Sequence, residues 1–347
     1  MNIVKIDNKI NRNMFYNYIL PQLHKSILNI KKNNNNYIIL DFDNLYYIEA
    51  SQIPNILIIG LLLKKLHIKT DIVNCNEVLL NYLLESDFLS INNKNNLFNI
   101  NNYQPNMILK KQIRKTKYKY CTTFYFVENT PYDIIYYDIK KLENKIIQLL
   151  LYDKNEMITK FNDQYYKVQW MLSVITEIVG NACEHSGSIA IASFQALDKT
   201  GTVIISISDH GYGYEKTISE KLNVKNKDKN VKQIIKFDKI DNSNAKINNI
   251  KWIFEAIYYR YKIDQSKSKD GLYQAIQYLL SNRLCKINIH NNNSSIELNN
   301  ENGIKYLDYD FIYNLFSSNK IVYYLDDLKY KESKYNGVHI EIEVEIC

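Results

Sequence analysis

Met171–Ser188 reads MLSVITEIVGNACEHSGS and Thr202–Gly213 reads TVIISISDHGYG. In the first, with Val168 just ahead of it, Val168, Met171, Leu172, Ile175, Ile178, Val179 and Ala182 recur at the 3.6-residue period and predict a helix with one apolar stripe. Glu177 and Asn181 fall off that stripe, one turn apart and on one side, so a carboxylate and an amide stack where they can hold a metal ion and a water. An outward polar face is also the default of any amphipathic helix, and the pair alone does not separate the two readings. Between the two stretches, IAIASFQAL and a DKTG turn lead into TVIISIS, which predicts a β-hairpin. The second strand ends in Asp209-His210-Gly211-Tyr212-Gly213. A carboxylate at a strand end is a rigid acceptor, and two glycines one residue apart let backbone lie close to a flat ligand.

In the order E-x3-N-A-x2-H-S, hairpin, D-x-G-x-G, the chain resembles the GHKL superfamily of ATP-binding domains, which includes histidine kinases, anti-sigma-factor serine kinases, gyrase-type topoisomerases and chaperone and mismatch-repair ATPases. The resemblance implies a Bergerat-type α/β sandwich with a mixed sheet over about residues 135–347, binding ATP and Mg²⁺. It implies that Glu177 polarises the attacking water or hydroxyl and that Asn181 coordinates Mg²⁺. Asp209 would accept from the adenine amino group, and Gly211 and Gly213 would let the loop lie against the nucleotide. His185 and His210 fall in the two boxes and would line or support the pocket. A second glycine box matches Ser266-Lys267-Ser268-Lys269-Asp270-Gly271-Leu272-Tyr273 at the head of a helix, where Gly271 and the following amides, starting with Leu272, suit phosphate. The family often has glycine where Lys269 stands, so Lys267 and Lys269 would share the phosphate contacts, and it often has threonine where Val338 follows Gly337.

Upstream, residues 1–110 read as a separate α/β unit. A helix through Tyr16, Ile19, Leu23, Ile27 and Ile30 precedes the strand YIILDF. Ser51 is placed to cap a helix with Pro54 in its first turn. A strand at Thr70–Val73 and a helix at Asn76–Glu85 complete a β-α-β-α order. Leu40-Asp41 through Ile48-Glu49-Ala50-Ser51 resembles the STAS domain of anti-anti-sigma factors, in which a serine at that helix start is phosphorylated; Ser51 is the matching phosphoacceptor, and a simple helix cap is the competing reading.

Residues 111–134 hold, from Lys110 just ahead of them, a basic-aromatic strand, KKQIRKTKYKYCTTFYFVE. Single-stranded nucleic acid would use such a strand by charge and stacking, but a sheet edge protected by lysine is the preferred reading. An amphipathic helix at Ile139–Leu151 is expected to connect or to form a homodimer contact. The lysine-rich stretch 214–269 between the glycine boxes reads as a lid, with a helix from Ile250 to Tyr261 leading out of it. CKINIH, SSIEL and GVHIEIEVEI close the sheet as strands.

The composition narrows the classes. The net charge of +7 in 347 residues is spread among many Asn and Ile residues rather than concentrated in a stripe. The five cysteines are far apart with no C-x-x-C pair, against a zinc site or disulfide framework. Ile56–Leu63 is the longest apolar run and is too short for a bilayer, which takes about 20 residues. A cytoplasmic protein without a membrane role is expected. Three functions fit: an ATP-driven regulatory switch with slow hydrolysis and a protein partner, a serine/threonine kinase acting on a STAS-like substrate, and a non-catalytic ATP-dependent assembly module.

Overall fold

The computed structural model describes residues 2–33, 35–101, 103, 120–126, 140, 174–183, 186–197, 202–225, 244–258, 271–282 and 284–345. The fold is mixed α/β, and its contacts form two compact units. The first comprises residues 1–125 with 191–199 and 204–206; the second comprises 126–190, 200–203 and 207–347.

In the first unit, β1 (Asn2–Lys5) and β2 (Asn8–Ile10) precede a helical segment whose main part is α1 (Leu20–Asn33). The expected helix through Tyr16 and Ile30 is present, but its entry, Phe15–Ile19, is a π-helical turn. Pro21 has no N–H for a normal bond back to residue 17, which fits the wider turn there. Then come β3 (Tyr37–Asp41), β4 (Leu45–Ile48), α2 (Ile53–Lys65), β5 (Lys69–Val73), α3 (Glu77–Glu85), α4 (Phe88–Asn95) and β6 (Asn99–Ile100). Strands β1, β3, β5 and β6 pair in that order, all parallel. Such strands are apolar because both faces are covered: Ile38, Ile39 and Leu40 are all buried. Helix α2 is apolar nearly all round and is correspondingly buried from Ile53 to Gly60. Asn76 caps α3 by accepting from Leu79 N at 2.9 Å.

Ser51 does not cap α2. It lies in the 3₁₀ turn Ala50–Gln52 that runs into the helix, and Gln52 occupies the cap position, where its side chain makes no capping bond to the helix backbone. The Ser51 hydroxyl instead accepts from Gln52 Nε2 at 3.0 Å. Pro54 does sit in the first turn of α2, as its fixed φ favours.

The remaining elements are β7 (Tyr120–Phe126), α5 (residues 174–183), β8 (Ala190–Leu197), β9 (Thr202–Asp209), α6 (Gly213–Lys225), α7 (Ala245–Tyr258), α8 (Leu272–Asn282), β10 (Cys285–Asn291), β11 (Ser294–Asn299), α9 (Tyr309–Ser317), β12 (Lys331–Glu332) and β13 (Val338–Glu345). In the second unit β10 pairs antiparallel with both β11 and β13, and β11 pairs antiparallel with β12. Alternation along β10 and β13 puts Ile287, Ile289, Ile340 and Ile342 on the face that packs against helices. Helix α7 covers that face with Ile250, Ile253, Phe254 and Ile257, all buried. Tyr258 and Tyr273 close the packing by donating to the carbonyls of Tyr306 at 2.8 Å and Leu307 at 3.0 Å.

Two expectations change here. The stretch 214–269 opens as helix, because α6 starts at Gly213 itself, and α7 begins at Ala245, five residues before the expected Ile250; residues 226–243 and 259–270 of the expected lid lie outside the described residues. The basic half of the 111–134 strand and most of the 139–151 helix lie outside the described residues. No described helix is long and apolar enough to cross a membrane.

Candidate functional site

In α5, Val174, Ile175, Ile178 and Val179 are buried, the described part of the expected apolar stripe; Val168, Met171 and Leu172 lie outside the described residues. The stripe fixes the helix's rotation, which turns Glu177 and Asn181 into a cleft. Asn181 Nδ2 donates to Glu177 Oε1 at 2.9 Å, the geometry of an i, i+4 pair. That bond leaves the amide oxygen of Asn181 facing away from the carboxylate.

The cleft measures about 850 Å³ including its open mouth and lies wholly within the second unit. Its walls are mostly apolar: Ile178, Ile207, Ile218, Leu272, Val338 and Ile340 contribute from five different elements. Asp209 projects into these surroundings from the end of β9 and is only 2% exposed. Its Oδ1 accepts two backbone N–H groups, from Gly211 at 2.8 Å and Val338 at 3.3 Å. No described residue donates to Oδ2. Burial pushes the Asp209 carboxyl up to about 7, although the two N–H donors pull the other way. A carboxylate kept in an apolar wall with one oxygen open is costly for the fold and well suited to accept from a ligand.

The loop after Asp209 is held by protein contacts. A Cβ on Gly211 would lie 2.0 Å from the Ser186 carbonyl oxygen, and that carbonyl accepts from Tyr212 N at 3.1 Å. Glycine is therefore required at 211 so that the loop can pass against the end of α5's segment. Gly213 takes φ +72°, where side chains are strained, and a Cβ there would meet Asn292 Nδ2 at 2.2 Å. Gly213 lines the cleft, as the resemblance implies, and both glycines also make room for protein groups, Ser186 and Asn292.

Two asparagines missed in the sequence complete the support. Asn291 Oδ1 accepts from Tyr214 N at 2.8 Å, which satisfies a free N–H in the first turn of α6. Asn292 Oδ1 accepts from Gly337 N at 2.9 Å and its Nδ2 donates to the Tyr212 carbonyl at 3.3 Å. Asn292 sits at φ 49° in the β10–β11 turn. The run Asn291-Asn292-Asn293 between two apolar strands marks a hairpin, but nothing in it shows that its side chains reach across to 212 and 337.

Of the other expected site residues, Leu272 lines the cleft, and Gly271 stands just before α8, where its carbonyl accepts from Ala275 N at 3.0 Å. His210 is fixed outside the lining by its Nδ1 against the Asn336 carbonyl at 3.0 Å and by its backbone N–H on Ser188 Oγ at 3.2 Å. His185, Lys267 and Lys269 lie outside the described residues. Ser51 belongs to the first unit and is 6% exposed. Within that unit its carbonyl accepts from Ser206 Oγ, and the Ala50 carbonyl accepts from Ser193 Oγ, both at 2.7 Å.

Among the described residues no cluster of three or more His, Cys, Asp or Glu side chains can hold a metal. Mg²⁺ on a nucleotide needs only one or two protein oxygens, since phosphates and waters supply the rest. The open amide oxygen of Asn181, beside Glu177, meets that requirement. Neither a scan of protein-family models nor a search of curated proteins finds a match to the chain.

Proposed function

We propose that the second unit is a GHKL-type ATP-binding domain, that it hydrolyses ATP slowly, and that the chain works as a nucleotide-driven regulatory switch acting on a protein partner. The observation that carries this reading is Asp209: a buried carboxylate with one oxygen engaged by two backbone N–H groups and the other open to an apolar cleft. An apolar slot with a single acceptor at its floor suits a flat heterocycle bearing an amino group. Glu177 and Asn181 line the same cleft.

In this mechanism Asp209 accepts from the adenine amino group while Ile178, Ile207 and Ile340 exclude water from the ring. Asn181 would hold Mg²⁺, which when bound offsets phosphate charge. Glu177, oriented by the Asn181 amide, takes the proton of the attacking water as general base. Lys267 and Lys269 are proposed phosphate contacts. The first unit is proposed to be STAS-like and to carry the regulatory contact, with the chain acting as a homodimer.

Purified protein with γ-labelled ATP and Mg²⁺, followed for free phosphate and for labelled protein in one tube, tests the reading. Free phosphate that disappears in Glu177→Ala supports it. Label on the protein would make the chain a serine/threonine kinase instead.

A further inference from the structure

Most polar groups on the cleft wall are already satisfied by the protein. Asn181 donates to Glu177, the Ser186 hydroxyl is shared with the backbone of Ser188, and Thr217 Oγ1 donates to the Gly213 carbonyl at 2.9 Å. Away from the Glu177–Asn181 end, two polar atoms stay open among the described residues: Asp209 Oδ2 and the Tyr214 hydroxyl.

Tyr214 is not loosely placed. It stands in the first turn of α6, its backbone N–H is fixed by Asn291, and its half-buried side chain lines the same cleft as Asp209. Burial, and then the negative charge of Asp209, hold the phenol above its ordinary value, so it stays protonated and senses the carboxylate. A protonated phenol and a carboxylate lining one cleft present a donor and an acceptor to the same ligand. In an apolar cleft both must be answered by the ligand, because a buried group left unpaired costs more than a made hydrogen bond gains.

The adenine edge carries an amino donor at C6 next to the N1 acceptor. Guanine shows the reverse at the same edge, an O6 acceptor next to an N1–H donor. We propose that Tyr214 is a specificity-determining residue, whose hydroxyl donates to adenine N1 while Asp209 holds the 6-amino group, so that the pair admits adenine and rejects guanine nucleotides. This rests on the reading of the cleft as an adenine-nucleotide site and adds to it the residue that selects the base. Sequence alone hides Tyr214, since a tyrosine after the second glycine carries no motif.

Equilibrium titration of the full chain with ATP, GTP and 1-deaza-ATP, which lacks the N1 acceptor, tests it in wild type and Tyr214→Phe. Expected are ATP binding about tenfold tighter than 1-deaza-ATP in wild type and, in Tyr214→Phe, ATP weakened about tenfold to the affinity of 1-deaza-ATP, which itself stays as in wild type. GTP should bind wild type far more weakly than either adenine nucleotide. If Tyr214→Phe binds ATP like wild type, or loses ATP and 1-deaza-ATP to the same degree, the hydroxyl does not read N1 and the proposal fails, although the cleft still binds adenine nucleotides. Equal wild-type affinity for GTP and ATP also overturns it. Wild type that binds none of the three overturns both this proposal and the reading beneath it. Phenylalanine keeps the ring, and circular dichroism of the variant checks the fold.

Discussion

The Asp209 carboxylate is bonded to the start of the last strand: its Oδ1 accepts the Val338 backbone N–H at 3.3 Å. Gly337, just before Val338, has φ +103°, and a Cβ there would lie 2.3 Å from the Asp209 carbonyl oxygen. One carboxylate therefore closes the junction of β9 with β13 and also leaves an oxygen for the cleft. Changes at 209 separate these two jobs, because an amide can keep the first and cannot perform the second.

Asp209→Asn should fold and gain stability at neutral and alkaline pH. The wild-type carboxyl is raised from 3.8 to about 7 by burial, so the folded state disfavours its charge. Its contribution to stability is full below the unfolded value and is lost as pH rises through about 7. At about 1.4 kcal/mol per pKa unit, the loss is on the order of a few kcal/mol. Thermal melts of the ligand-free protein from pH 5 to pH 8 should show wild type falling more steeply than Asp209→Asn, and parallel curves would contradict the assignment.

ATP affinity should rise with pH up to about 7 and then level off. In the proposed site the adenine amino group donates to the charged carboxylate, so binding would expel a proton wherever the free carboxyl, raised to about 7, is protonated. Titration calorimetry at pH 6.5 in two buffers of different ionisation enthalpy should show a fraction of a proton released per ATP. Proton uptake would place the opposite charge state in the complex.

Asn292→Ala should weaken ATP binding by about fivefold to tenfold and destabilise the second unit by about 1–2 kcal/mol, since it removes two hydrogen bonds to the loop and its neighbour strand. Asn292→Asp keeps the acceptor for Gly337 and should recover part of the loss. Urea denaturation beside ATP titration checks both; a variant that melts and binds as wild type would show that the hairpin is not a brace.

Gly211→Ala should cost several kcal/mol, because the added methyl meets the Ser186 carbonyl at 2.0 Å and backbone cannot swing aside as a side chain can. Soluble, normally melting Gly211→Ala protein would mean that the loop stands farther from Ser186.

Ser51→Ala should leave ATP turnover unchanged within about twofold. The hydroxyl is buried and accepts only a neighbouring amide, so its loss removes one hydrogen bond of about 1 kcal/mol from the first unit. A phosphate that leaves ATP only when Ser51 is present would favour the kinase reading.

Much of the fold was legible because it rests on apolar periodicity. The strands at Tyr37, Lys69, Ala190, Thr202, Cys285, Ser294 and Val338 all appear close to where alternation or apolar runs put them. Glu177, Asn181, Asp209 and Leu272 meet in one cleft, since spacing within a helix and position at a strand end are local properties. What stayed hidden depends on tertiary contact. Asn291 and Asn292 act on residues 77 and 80 positions away in the chain. Ser51 looked like a helix cap until the 3₁₀ turn moved the start of α2 past it. Helix α6 was concealed because its sequence is polar and begins at a glycine. Helix α9, with its Asp308 cap, is a short element between two strands and carries only a brief apolar period.

The most direct measurement is equilibrium titration of Mg²⁺-ATP against wild type and Asp209→Asn at pH 8, with both proteins shown to be folded. Saturable binding to wild type and its loss by at least a hundredfold in the variant is the expected result, because the amide turns a donor toward the adenine amino group. Equal affinity in the two proteins would contradict the central claim, since ATP would then bind somewhere other than the floor of this cleft.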